Sequence, residues 1–85
     1  MSYITEVIET DLFAGEVAKV RDGKTLERLR KQIEKIIDAP TIGKPLRYDM
    51  RDSRTVYIKP YRLIYSVNGT CLCLMRFEHR KTVYE

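Results

Sequence analysis

The sequence is sparing with the residues that most enzymes use. Its 85 residues include one histidine and two cysteines. A lone His79 excludes any ribonuclease that splits acid and base work between two imidazoles. Cys71 and Cys73 are one residue apart, so on a strand they point to one face and are poorly placed for an unstrained disulfide. With a single histidine they also fall short of the usual four zinc ligands, and they read as small apolar side chains in a reducing compartment. Clustered carboxylates are missing too. Asp49 and Asp52 have no third acid nearby and read as turn-formers, so no metal is expected. Gly23-Lys24-Thr25 lacks the glycine a phosphate loop needs five residues earlier. Ala18 stands there, in a helical stretch with no strand before it, so nucleotide binding is not expected. No apolar run approaches the roughly 20 residues of a membrane span. The first residues carry neither a basic nor an apolar signal region, and a cytoplasmic location away from membranes is expected.

What is present is a mixture suited to folding. The chain is 44% apolar and 33% charged, with a net charge of +4, within the range of a soluble folded protein rather than a disordered one. Its length suits one domain over residues 1–85. The charge is unevenly spread. Residues 1–43 hold seven Lys/Arg against eight Asp/Glu, and residues 44–85 hold nine against four. A basic C-terminal half favours RNA, DNA or an acidic protein as a partner, although a solvated basic surface has the same composition.

The apolar pattern predicts the elements. Tyr3–Glu9 alternates loosely as a first strand. Thr10 is placed to cap a helix to about Val20, with Leu12, Phe13, Val17 and Val20 as its stripe. Leu26, Leu29, Ile33 and Ile36-Ile37 predict a second helix from Lys24 to Asp38. Ala39–Met50 carries Pro40, Gly43 and Pro45 and reads as a connecting loop. Arg54–Ile58, Tyr61–Val67 and Thr70–Glu78 read as strands. They are joined by the Lys59-Pro60 turn and by Asn68-Gly69, a strong hairpin signal. Cys71–Met75 is apolar on both faces, which predicts an interior strand. The expectation is an α+β fold: an N-terminal strand, a two-helix hairpin, then antiparallel strands. Together they form one mostly antiparallel four-stranded sheet with the helices on one face. The other face is left open to function.

Two strings stand out. Tyr61-Arg62-Leu63-Ile64-Tyr65 sets a cation inside an apolar strand, where an unpaired charge is costly. An anion-binding groove would justify it, and so would an internal acid such as Asp49 or Glu78. His79-Arg80-Lys81-Thr82-Val83-Tyr84 closes the chain with cations and a phenol. Arginine suits a phosphodiester because its rigid fork matches two oxygens and stays charged. Histidine, with an unperturbed pKa near 6.5, suits proton transfer. Tyr57, Tyr61 and Tyr65 read as core or edge aromatics with their hydroxyls at the surface.

With the Gly-x-Pro-Leu joint at Gly43–Leu46, these strings resemble the RelE/ParE toxin superfamily of type II toxin–antitoxin systems, over Thr10 to Tyr84. The resemblance implies a RelE-like fold. It also implies a metal-independent, cofactor-free endoribonuclease that cuts messenger RNA on the ribosome and so inhibits translation. It assigns phosphate stabilisation to Arg62 and Arg80, a base or base-stacking role to Tyr84, and proton transfer to His79. RNA-binding residues are expected among Arg54, Lys59, Lys81, Lys44 and Arg47. RNA-cleaving members carry two lysines on the strand before Tyr-Arg. A gap-free count places Thr55 and Tyr57 there, and a shifted register offers Arg54 or Lys59. The implied partners are an acidic antitoxin in a heteromeric complex, the ribosome and messenger RNA. Two alternatives stay open: a ParE-like, non-nuclease inhibitor of DNA gyrase, and a catalytically inactive binding module.

Overall fold

The computed structural model describes residues 4–46 and 53–80. The chain opens with strand β1, Glu6–Glu9, followed directly by helix α1, Asp11–Ala18. Thr10 is the hinge between them. Its Oγ1 accepts the Phe13 N–H at 3.0 Å and donates to the Met75 carbonyl at 2.7 Å. One hydroxyl thus caps a helix and ties it to the sheet. Helix α2, Gly23–Asp38, follows. Asp22 caps it by accepting from the Lys24 N–H and the Thr25 hydroxyl. Asp22 thus fixes the start of α2.

The remaining strands are β2 (Lys44–Pro45), β3 (Ser53–Ile58), β4 (Tyr61–Asn68) and β5 (Cys71–His79). They form a five-stranded sheet in the order β1-β5-β4-β3-β2. Only β1–β5 is parallel among its pairs; β2–β3, β3–β4 and β4–β5 are antiparallel. The expected fold class holds, with one strand more than the four anticipated. Lys44-Pro45, assigned above to a loop, pairs with Thr55 and Arg54. Two residues carry no periodicity to betray a strand, and Pro45 sits at the sheet edge, where a missing N–H is tolerated. The β4–β5 turn is Gly69-Thr70, closed by the Asn68–Cys71 pair. Gly69 takes φ +66°, a conformation glycine adopts without strain.

A bulge in β5 sets which side chains reach the core. Ile64 pairs with Arg76, but Tyr65 pairs with Leu74, so Met75 is the extra residue. In a regular strand, Leu72 and Leu74 would face opposite to Phe77. The bulge restores them to one face, and all three are buried. They join Phe13, Val20, Leu29 and Ile36 from the helical side and Ile58, Leu63 and Tyr65 from β3 and β4. β5 is an interior strand, as its two-sided apolar run anticipates. Tyr65 departs from expectation. It is 0% exposed, and its hydroxyl donates to the Pro40 carbonyl at 2.8 Å and accepts the Gly43 N–H at 3.0 Å. The phenol pins the loop leading into β2. A Cβ on Gly43 would stand 2.7 Å from the Tyr65 oxygen, so this approach requires glycine. Among the described residues, no helix is long and apolar enough to cross a membrane.

Candidate functional site

The strand register sorts the sheet into two faces. Directly paired residues put their side chains on the same side. Val56, Ile58, Tyr61, Leu63 and Tyr65 belong to the helix-side core or pack against it. The opposite face, called the open face because the helices do not cover it, therefore carries Thr55, Tyr57, Arg62 and Ile64; Tyr57 is exposed there, while Thr55 and Ile64 are buried. Ile64 fits this placement: it is buried, yet stands apart from the helix-side core. Two rows cross the open face. One runs Lys44, Thr55, Ile64, Arg76, and the next runs Tyr57, Arg62, Glu78.

Arg62 lies in the second row. Its Nη2 donates to Glu78 Oε1 at 2.9 Å, an internal acid named above as one possible fate of this side chain. The pair is half-buried, with side-chain exposures of 26% and 14%, so removing either member leaves a poorly solvated charge. Glu78 Oε2 also lies 3.4 Å from Arg76 Nη1, and Arg76 Nη2 is 2.7 Å from Glu16 Oε2 on α1. Glu16 Oε1 accepts the Phe77 N–H at 2.7 Å. β1 ends its pairing at Leu74, and Glu16 takes over a donor further along β5. Burial raises the Glu16 pKa, but hydrogen bonds from Arg76 and Phe77 outweigh it and hold the carboxyl below its ordinary value. Among the described residues, two buried side-chain polar atoms lack a hydrogen-bond partner: Arg62 Nε and Thr55 Oγ1. They sit at diagonal positions on the same face. Leaving such a group unsatisfied costs about 1–3 kcal/mol.

Arg80 follows the last β5 residue and is exposed. Its N–H donates to the Pro60 carbonyl at 2.7 Å, and Arg28 Nη1 donates to the Lys59 carbonyl at 2.9 Å. Arg28, Lys59 and Arg80 thus make a cationic corner around the β3–β4 turn. Arg80 is two residues beyond Glu78, the partner of Arg62, just past the end of β5.

Other residues fall elsewhere. His79 pairs with Tyr61, on the helix side, and its ring meets the Tyr61 ring edge-on at 5.0 Å. Tyr61 in turn stacks on Phe77 at 4.5 Å. The structure does not bring His79 and Arg62 to one face. Arg54 also points away from Arg62. Its Nη1 donates to the carbonyls of Thr41 and Gly43, which binds the loop before β2. Lys44 does share the face of Arg62. Tyr84, Lys81 and Arg47 lie outside the described residues.

The family model described as ParE toxin of type II toxin-antitoxin system, parDE, matches residues 8–84. The chain belongs to this family of toxins. The YoeB/ParE toxin from Agrobacterium tumefaciens superposes on it with a TM-score of 0.78 at 20% identity, over 87% of this chain and 96% of that one. The toxin–antitoxin complex RelBE2 from Mycobacterium tuberculosis gives 0.76 at 23% identity, over 94% and 100%. YafQ from E. coli gives 0.69 at 19%, over 94% and 98%. These likenesses establish the RelE-like fold. No curated protein matches the sequence.

The same face of the toxin carries groups to which the sequence reading gave no functional role. Tyr57, read there as a core or edge aromatic, is 62% exposed beside Arg62, where a nucleobase can stack on it. Its alternation with Val56 and Ile58 was the available signal. Cys71 and Cys73 are half-buried free thiols. Burial, reinforced by Glu6 and by Cys73, pushes the Cys71 thiol up, which keeps it protonated and unreactive.

Proposed function

We propose that this toxin is a metal-independent endoribonuclease that cuts messenger RNA on the ribosome. One observation carries the reading: Arg62 stands on an open sheet face between an exposed Tyr57 and the row holding Lys44, with a buried Nε donor unspent. Cleavage by the adjacent 2′-hydroxyl needs a group to take its proton, charge to hold the crowded phosphate, and a proton for the leaving 5′-oxygen. Arg62 and Arg80 fit the charge role. Tyr57 offers a stacking platform, and Lys44 a contact to a neighbouring phosphate. Proton transfer falls to Tyr84, whose phenol is a poor base near its free pKa of about 10 and needs adjacent cations to lower it. The ribosome would supply the remaining alignment of the RNA. Solved relatives include toxin–antitoxin complexes, and an acidic antitoxin segment laid across the basic face is the corresponding partner here.

A second reading, a ParE-like inhibitor of DNA gyrase, is favoured by the Arg62–Glu78 ion pair, which partly neutralises the site. Primer extension on messages from a translating extract separates the two. Cuts at defined codon positions support the ribonuclease. Arg62→Ala and Arg80→Ala should each then lower cleavage by about 100-fold, as loss of one transition-state donor does. Wild-type cutting by both variants would sink the proposed site. Intact messages together with arrested DNA replication would select the gyrase reading.

A further inference from the structure

Two open-face arginines are paired with carboxylates, and the pairings differ. Arg76 presents Nε and Nη2 together to Glu16, with contacts of 3.2, 3.3 and 2.7 Å. This is the side-on fork that satisfies a guanidinium best. Arg62 gives Glu78 one donor, Nη2, while the adjacent Nε is buried without a partner. Glu78 does not depend on Arg62 for compensation, since Arg76 Nη1 also lies 3.4 Å from it. Arg76 is itself anchored through Glu16 to the backbone of Phe77. One end of the chain Glu16–Arg76–Glu78–Arg62 is therefore fully matched, and the other is held by a single contact.

We infer that Glu78 is a displaceable stand-in for a phosphodiester and a brake on anion binding. An incoming phosphate takes Arg62 side-on through Nε and Nη2, and Glu78 shifts wholly onto Arg76. No bond is made or broken in this exchange. The inference rests on the reading of Arg62 as a phosphate-binding residue, but it concerns binding and not cleavage. An isolated phosphate must compete with an anchored carboxylate. A strand that also stacks on Tyr57 and meets Lys44 brings additional binding to that competition. Glu78 is thus a specificity-determining residue, with Arg76 and Glu16 positioning it.

The test uses the full chain and a short single-stranded oligodeoxynucleotide, which lacks the 2′-hydroxyl and cannot be cut. Affinity is read by fluorescence anisotropy at fixed salt. Glu78→Gln should bind about fivefold more tightly, the scale of one competing ion pair. Glu34→Gln removes the same charge from the exposed outer side of α2 and should stay within about twofold, since a distant surface charge is screened. Equal effects of the two variants, or weaker binding by a folded Glu78→Gln, would overturn the inference. A second measurement needs no variant at position 78: in ¹⁵N spectra of the wild type, the oligonucleotide should shift the Arg62 Nε–H resonance and leave that of Arg76 in place. An unmoved Arg62 resonance at saturation refutes the exchange. Tighter Glu78→Gln binding alongside intact messages would preserve this inference and remove the ribonuclease reading. Cut messages without the affinity gain would do the reverse.

Discussion

Tyr65 brings a phenolic hydroxyl into the interior, where the Gly43 N–H and the Pro40 carbonyl both use it. Burial raises its pKa, so the group stays a neutral donor and acceptor. Tyr65→Phe leaves one amide and one carbonyl unsatisfied and should cost about 1–3 kcal/mol, read as a lower urea midpoint with unchanged slope. Glu16 offers a test by pH. Its folded pKa is depressed, whereas in the unfolded chain a glutamate titrates near about 4.3. The stabilisation is complete above the unfolded value and is lost as pH falls through the folded one. Glu16→Gln should lower stability at pH 7 by about 1–3 kcal/mol, the scale of a charge-assisted hydrogen bond. It should also lose less stability than the wild type between neutral and acid pH. Urea titrations of both proteins at the two pH values give that difference directly.

Among the elements, β5 decides whether the sheet has a coherent core face. Leu72, Leu74 and Phe77 share that face only because Met75 is an extra residue between the two registers. Deleting Met75 turns either the leucine pair or Phe77 outward. Each such side chain contributes about 1.5–3 kcal/mol when buried, a large part of the 5–15 kcal/mol typical of a whole domain. The deletion should abolish cooperative unfolding in circular dichroism. Met75→Ala keeps the backbone count and should retain the fold at a cost of about 2 kcal/mol or less, the low end for a truncated methionine. The bulge was not legible in sequence because Cys71–Met75 is apolar on both faces, which hides the parity. The helices were legible, since Thr10 and the stripe from Leu26 to Ile37 are local signals. β2 was not, being two residues long and ending in proline. At the site, the faces of Arg62 and Tyr57 followed from alternation once the register was known. The meeting of Glu78 with Arg62 depends on cross-strand pairing, which no local pattern encodes.

At the scale of the molecule, the described residues include two separate groups of cations, and only one carries the proposed RNA site. The open face and the adjoining corner hold Lys44, Arg62, Lys59 and Arg80. The outer side of α2 carries Arg30, Lys31 and Lys35, with Arg30 paired to Glu27 and Glu34. A diffuse electrostatic field would make all exposed cations equivalent. A tracked strand would not, because each phosphate contact releases counterions and adds about 0.7 to the slope of log affinity against log salt. Lys44→Ala and Arg80→Ala should therefore each flatten the slope for an uncleavable single strand by about that amount. Lys31→Ala and Lys35→Ala remove identical charge from the other surface and should leave the slope unchanged, with a small offset in affinity. Equal flattening by all four would mean that RNA is drawn to this toxin by net charge alone, and the open face would lose its claim to be the binding surface.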